Sequence, residues 1–421
     1  MGENIKLPPG WTEATIPDLI AENGLFCDGD WIESKDQDPN GDVRLIQLAD
    51  IGDGVFRDKS KRFLKYSRAL ELNCTFLSKG DILIARMPDP IGRACIFPLE
   101  GNHNFVTAVD VAILRLDDTD VSSKYMLYAI NNLHIRNKIE KLQSGTTRKR
   151  ISRANLAKID FRIPPLPEQH RIVAKIEELF SSLDKGIERL KVAQQQLKIY
   201  RQSVLKWAFE GRFTHDNIKE CELPEGWRWQ RIQDIATSLD HLRKPINKKE
   251  RAKRIGQIPY YGANGQTGWI DDYLFDEPLI LVVEDETFTG RILPFSYKIT
   301  GKSWVNNHAH ILRPKKGINI DFLNYQLWYY PFLQMTTGTT GRKKLTKNAL
   351  MNAPVKICSI EEQLRIVLEI ENRLSVCDKL QENINQDLER TEALLQSILK
   401  KAFEGKLVPQ ESNDELTNSL L

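Results

Sequence analysis

The sequence contains itself twice. Arg148–Gly211 lies over Arg342–Gly405 at a constant offset of 194 with no gap, and 23 of the 64 positions are identical. Just upstream, SGTT (Ser144–Thr147) faces TGTT (Thr337–Thr340), with Gly341 as a single insertion. LPPGW (Leu7–Trp11) returns as LPEGW (Leu223–Trp227), and AFEGRF (Ala208–Phe213) returns as AFEGKL (Ala402–Leu407). A period of about 200 residues is too long for a solenoid, whose units are typically about 20–50 residues. The order is variable block, shared block, variable block, shared block. The stems match in register and the heads do not. This favours a pseudo-twofold protein with two related but different heads.

The shared blocks read as long helices. Apolar or small residues fall at Ile172, Ile176, Leu179, Leu183, Ile187, Leu190, Ala193, Leu197, Tyr200, Val204 and Ala208. The second block gives Ile366, Ile370, Leu374, Cys377, Leu380, Ile384, Leu388, Thr391, Leu395, Ile398 and Ala402. Both sets step by about 3.6 residues, which is one apolar stripe per helix. Pro164–Gln169 (PPLPEQ) marks one start, and Ser359–Gln363 (SIEEQ) reads as a Ser cap followed by Glu at the other. Gly211 and Gly405 mark the stops. A single-striped rod of about 65 Å cannot stand alone in water. It must bury its stripe against its twin or a partner. Gly186 is a candidate weak point.

The variable blocks read as mixed α and β. Strand-like runs are Val43–Leu48, Asp81–Arg86, Ala94–Phe97, Asp110–Leu116, Pro278–Val283 and His310–Arg313. Ser123–Leu142 and Phe322–Leu333 read as helices. Trp11 and Trp227, each in a Pro-Gly turn, read as core anchors. The fold expected is α+β: two mixed α/β globular heads, separated by two long helices packed as an antiparallel coiled coil.

Composition excludes several classes. The 421 residues are 41% hydrophobic and 28% charged, which argues against a disordered or fibrous chain. No apolar run approaches the roughly 20 residues of a membrane span. The N-terminus carries neither a signal-peptide pattern nor a myristoylation signal. The six cysteines form no CxxC and read as reduced thiols. These features point to a cytoplasmic protein. Sixty Lys+Arg against 57 Asp+Glu leave a net charge of +3, so the placement of charge must decide about nucleic acid.

Enzyme motifs are absent. ITGKS (Ile299–Ser303) ends like a phosphate-binding loop, but the required first glycine falls at Ser296. No GxGxxG follows a strand, and no NPPY-type tetrapeptide is present. VVEDE (Val282–Glu286) lacks the acid-x-Lys ending of a metal nuclease and reads as an exposed strand end. His308 and His310 have no third ligand nearby, so no metal site is expected.

Nucleic-acid features are stronger. A basic stretch with Arg243, Lys244, Lys248 and Lys249 runs into Tyr260, Tyr261 and Asn264. Lys and Arg neutralise phosphates, whereas Asn, Gln and Arg can read base edges. Ser144, Thr146, Thr147, Arg148, Lys149 and Arg150 make a Gly-Thr-Thr-basic loop. Thr339, Thr340, Arg342, Lys343 and Lys344 repeat it. Glycine frees the backbone, threonine hydroxyls bond phosphate, and cations follow. Base-reading candidates are Tyr260, Tyr261, Asn264, Asn306, Asn307 and His308, with Lys302 beside them, in the second head, and Arg86, Arg93 and Thr107 in the first. The candidate helix-packing residues are Ile172, Ile176, Leu179, Leu183, Leu190, Leu197 and Val204, facing Ile366, Ile370, Leu374, Ile384, Leu388, Leu395 and Ile398.

Taken together, these residues resemble the specificity subunit of a type I DNA restriction–modification system. The resemblance is carried by the two LPxGW turns, GDILIAR (Gly80–Arg86), KLQSGTTRKRIS, IPPLPEQHRIV, PYYGANGQTGWIDDY, GKSWVNNHAHILRP, IEEQLRIV and the two FEG endings. It covers the chain up to about Pro409. It implies target recognition domains at 1–163 and 214–357, conserved helical regions at 164–213 and 358–408, and a tail at 409–421. Each recognition domain would read one half of a bipartite, asymmetric target in double-stranded DNA. The chain itself would be non-catalytic and carry no cofactor. Two modification subunits would bring S-adenosylmethionine, and two restriction subunits would bring ATP and Mg. The second conserved block departs from the first in opening on CSIEEQ rather than PPLPEQ, so its start is not stiffened by proline. Alternatives are a specificity subunit of a methylation system without restriction, a self-contained DNA-modifying enzyme, and a coiled-coil scaffold that binds only protein.

Overall fold

The computed structural model describes residues 7–87, 90–101, 104–117, 120–145, 148–216, 218, 222–285, 288, 291, 293–338 and 343–411. The chain divides into two compact units, Met1–Leu190 with Gln386–Leu421, and Lys191–Asn385. Each long helix therefore starts in one unit and ends in the other.

The first unit holds β1 (Thr12–Thr15), β2 (Leu25–Asp28), β3 (Val43–Ile46), β4 (Arg62–Leu64), β5 (Ile82–Ala85), β6 (Ala94–Ile96), β7 (Phe105–Thr107), β8 (Val111–Arg115) and β9 (Asp160–Ile163). A four-stranded antiparallel sheet runs β2-β8-β5-β6, and a smaller sheet runs β4-β3-β7 with β3 and β7 parallel. β1 pairs with β9, Thr12 opposite Ile163.

The second unit holds β10 (Arg228–Arg231), β11 (Ala236–Ser238), β12 (Ile258–Gly262), β13 (Gly265–Ile270), β14 (Phe275–Asp276), β15 (Leu279–Val283), β16 (Ser296–Ile299), β17 (Lys302–Val305), β18 (Ala309–Pro314) and β19 (Pro354–Ile357). Its sheets run β11-β18-β15-β16 and β13-β12-β17-β14, with β12 and β17 parallel, and β10 pairs with β19. The two heads thus share one topology, with β14 as an addition. This matches the two related heads that the repeat favours, although the head sequences themselves do not match.

The larger sheet is buried on both faces, which explains its unbroken apolar strands. Side chains alternate across a strand. Ile82 and Ile84 of β5 join the core beneath the helices, while Leu83 and Ala85 join a second core on the other face. In β15, Ile280 and Val282 face one core and Leu279 and Leu281 the other. Each such Ile, Leu or Val side chain stabilises the fold by about 1.5–3 kcal/mol through burial.

The long helices span Leu166–Phe209 and Ile360–Phe403, 44 residues each. In the first unit, Ile172 and Ile176 share a core with Ile398 and Ala402. In the second, Val204 and Ala208 share one with Ile366 and Ile370. Within each unit, then, the start of one helix lies beside the end of the other, and they run antiparallel. Leu197 and Leu374 are also buried, Leu179 and Leu183 pack partly, and Leu190, Ile384, Leu388 and Leu395 are half-buried. Gly186 causes no break. Ser359 Oγ accepts the Glu362 N–H at 3.3 Å, as the cap reading expected. At the stops, Gly211 (φ +80) and Gly405 (φ +69) are left-handed, and the next N–H reaches back to the carbonyls of Trp207 and Lys401. This is the glycine-terminated Schellman arrangement.

Two expected helices are shorter than their periodicity. Ser123–Leu142 is two helices, Ser123–Asn131 and Leu133–Leu142. Asn132 is extended between them and caps the second, its Oδ1 accepting Ile135 N–H at 3.0 Å. Phe322–Leu333 is a helix only over Ile320–Leu327, because Pro331 cannot continue it.

One device, made of recurring residues, joins head to helix in both units. Trp11 and Trp227 are buried, as core anchors should be. Their indole N–H groups donate to Glu168 (3.1 Å) and Glu362 (2.9 Å) in the first turn of each helix. Gln169 Oε1 accepts Ser122 N–H at 2.8 Å, and its amide donates to Pro164 and Asp120 carbonyls. Gln363 does the same with Asn319, Cys358 and Gly317. Cations on the last strands, Arg162 and Lys356, donate to the terminal helix carbonyls of Phe403 (3.3 Å) and Phe209 (2.9 Å). A cation at that end also meets the favourable pole of the helix dipole.

Candidate nucleic-acid interface

The Gly-Thr-Thr-basic loop is closed at its base by a backbone pair in both units. Ser144 and Arg150 exchange backbone bonds at 2.8 and 2.9 Å, and Thr337 and Lys344 do so at 2.9 and 2.8 Å. Gly145 (φ +94) and Gly338 (φ +109) supply the left-handed turn residue that other side chains resist. The residue after each hairpin is fully buried and rivets it to the head. Ile151 N–H binds the Arg86 carbonyl at 3.1 Å, and Leu345 N–H binds the Glu284 carbonyl at 2.8 Å. Arg86 and Glu284 each follow the central strand of the large sheet, β5 or β15. Ser144, Arg148, Lys149, Arg150 and Lys344 are exposed, and Lys343 is half-buried. Thr146, Thr147, Thr339, Thr340 and Arg342 lie outside the described residues.

Other loops meet at the same sheet end. Glu284 N–H binds the His308 carbonyl, and Asn306 N–H binds the Tyr261 carbonyl. The β12–β13 hairpin reaches it through Asn264, whose Oδ1 accepts Arg291 at 2.8 Å. Lys244, Lys248, Lys249, Asn264, Lys302, Asn307 and His308 are exposed, with His308 held by Asp285 at 2.7 Å.

Several expected DNA-contacting residues are instead held in structural contacts. Thr107 is fully buried and donates to the Ile46 carbonyl at 3.0 Å. Arg93 is buried and donates to carbonyls of Ile51, Leu48 and Pro90. Arg86 is tied to the Val109 carbonyl and to Asp28 at 3.3 Å. Asn306 is buried, and its Oδ1 accepts His308 N–H at 2.8 Å. Tyr260 is 1% exposed and lies beneath Arg251, 4.7 Å from its ring centroid. Arg243 binds Glu284 and the Ala309 carbonyl. Tyr261 is half-buried against Tyr297. His308 and His310 do not converge on one point: His310 is buried between Asp240 (2.6 Å) and the Leu345 carbonyl (2.8 Å).

A family model for the type I restriction modification DNA specificity domain matches residues 9–192 and again 224–390. The chain belongs to the type I restriction–modification specificity subunits. It is similar to the EcoKI specificity subunit of Escherichia coli K12, 26% identical over 96% of this chain and 91% of that protein. It is also similar to the EcoDI specificity subunit of Escherichia coli, 24% identical over 66% and 69%. Its fold matches a chain solved in work on complex assembly and conformational transition of the type I R-M system. The TM-score is 0.75 at 19% identity, covering 96% of this chain and 100% of that one. Members of this family are DNA-binding, non-catalytic recognition components of a larger complex. No described helix is long and apolar enough to cross a membrane.

In this specificity subunit the sequence missed exposed residues on the β12–β13 hairpin. Gln266, Thr267 and Trp269 (57% exposed) face out beside Asn264. The available signal is the run of polar residues in YGANGQTG. Each unit also repeats a cleft beside the end of the incoming helix. One, of about 760 Å³, is lined by His134, Arg162, Lys400, Phe403 and Glu404. The other, of about 370 Å³, is lined by Lys206, Phe209, Glu210, Tyr330 and Lys356. Four of these positions correspond at the offset of 194.

Proposed function

We propose that each head of this specificity subunit reads one half of a bipartite, asymmetric site in double-stranded DNA. The helix pair sets the gap between the half-sites and recruits two methyltransferase subunits. The observation that carries this reading is the riveted basic hairpin, repeated on two heads of one topology and different sequence. Phosphate contacts fix position, and the unlike loops around them supply unlike base contacts. The repeated cleft supports two copies of one partner, one per unit. S-adenosylmethionine would sit on those partners, and ATP and Mg on two restriction subunits.

Exchange of residues 214–357 for another second head tests the reading. Methylation mapping should show one half-site changed and the other kept. Change in both half-sites would contradict independent heads. Inserting four residues near Gln194 adds a turn of about 5.4 Å, more than one base-pair step. The tolerated gap should lengthen. An unchanged gap in a stably folded variant would remove the helix pair as a ruler.

A further inference from the structure

The second hairpin has an acid at its base that the first lacks. Arg86 and Glu284 occupy the same place, the residue whose carbonyl receives the N–H following the hairpin. Glu284 is 6% exposed. One carboxylate oxygen takes Arg243, and the other lies 2.9 Å from Lys344 Nζ. His310 approaches Glu284 at 3.7 Å, and Asp240 sits between His310 (2.6 Å) and Arg243 (3.7 Å). Two cations, Arg243 and Lys344, thus meet two carboxylates before His310 is counted. Burial alone would raise the Glu284 carboxyl, but Arg243, Lys344 and His310 outweigh it and hold it below its ordinary value. It is therefore ionised at neutral pH. In the first unit, Arg86 instead pairs with Asp28. Among the described residues Arg148, Lys149 and Arg150 make no ion pair.

We propose that Glu284 withholds Lys344 from DNA phosphate, so that this lysine adds less to the sequence-independent grip than the unpaired Arg148 and Lys149 of the first hairpin. Glu284 then sets the ratio of target to non-target binding. A cation already paired to a buried acid releases little counterion on meeting DNA. It therefore adds less than the usual slope of about 0.9 per phosphate contact. The inference rests on the reading that the hairpins face DNA, and its test separates the two.

The test measures salt-dependent affinity of the complex with its modification subunits, on target and non-target duplexes. Arg148→Gln and Lys149→Gln should each flatten the salt slope by about 0.9, and Lys344→Gln by less than about half of that. Glu284→Gln should raise non-target affinity about tenfold at low salt and steepen the slope by about 1. Glu284→Asp, which keeps the charge, should restore the original slope. The proposal is overturned if Lys344→Gln flattens the slope as much as Lys149→Gln. It is also overturned if Glu284→Gln changes neither slope nor non-target affinity in a folded complex. Lys344 is 53% exposed, so its substitution carries the test even where Glu284→Gln does not fold. If the Arg148 and Lys149 variants also leave the slope unmoved, the hairpins do not face phosphate, and both readings fall.

Discussion

Trp227 donates its indole N–H to the Glu362 carboxylate at 2.9 Å, across 135 residues of sequence. Thr214 (2.6 Å) and His215 (3.3 Å) approach the same oxygen. The bond ties the turn that opens the head to the helix that leaves it. Trp227→Phe keeps an aromatic ring against Phe322 but removes the donor. It should cost about 1–3 kcal/mol. Urea unfolding followed by a probe in the second unit would measure it, and a change under about 0.5 kcal/mol would show that the bond adds little.

Gln169 and Gln363 are fully buried, and each bridges three backbone groups. Replacing either by Ala leaves those groups without a partner and should cost about 2–4 kcal/mol. Hydrogen exchange should quicken at Ser122 in the Gln169 variant and at Asn319 in the Gln363 variant. Uniform exchange change across the chain would contradict this local role.

Gly211 and Gly405 face two separate penalties on substitution. Both have positive φ, and an added Cβ would stand 2.3 Å from Pro224 Cγ or 2.4 Å from Pro8 Cγ. The left-handed backbone costs an alanine about 1–2 kcal/mol, and the contact adds to that. Thermal midpoints of Gly211→Ala and Gly405→Ala should fall by several degrees, roughly 2–4 °C per kcal/mol for units of this size.

Burial pushes the Asp30 carboxyl up to about 6, against hydrogen bonds from Thr75 and Cys74. The folded state then binds its proton more tightly than the unfolded chain does. Stability from this group is present at low pH and is lost as pH rises through about 4 to about 6. Asp30→Asn should therefore match the parent below that window and exceed it above. A stability difference independent of pH would count against the protonation argument.

How much of this was legible beforehand depended on what each pattern encodes. The helices were, because an apolar stripe every 3.6 residues has few other readings. Five strands of the two large sheets (β5, β6, β8, β15 and β18) were too, to within one or two residues, whereas β2, β11 and β16 were not. The break at Asn132 was not, since apolar spacing continues across it while only the backbone turns. Arg93 and Arg243 looked like Arg148 in sequence. They differ because carbonyls from distant strands surround the first two. The duplicated flanks showed that the heads are related, but their strand order was not legible, since a sheet buried on both faces accepts almost any apolar side chain.

The bonds from head to helix come from the flanking repeats: a tryptophan, a Glu-Gln pair, a strand cation and a glycine. The intervening sequence can drift freely provided it delivers its two ends to this socket. On the proposed reading, selection for a new DNA target would act on a cassette whose mounting is already fixed. Matching borders at the two mountings would let genetic exchange replace one cassette whole, without refitting the rest.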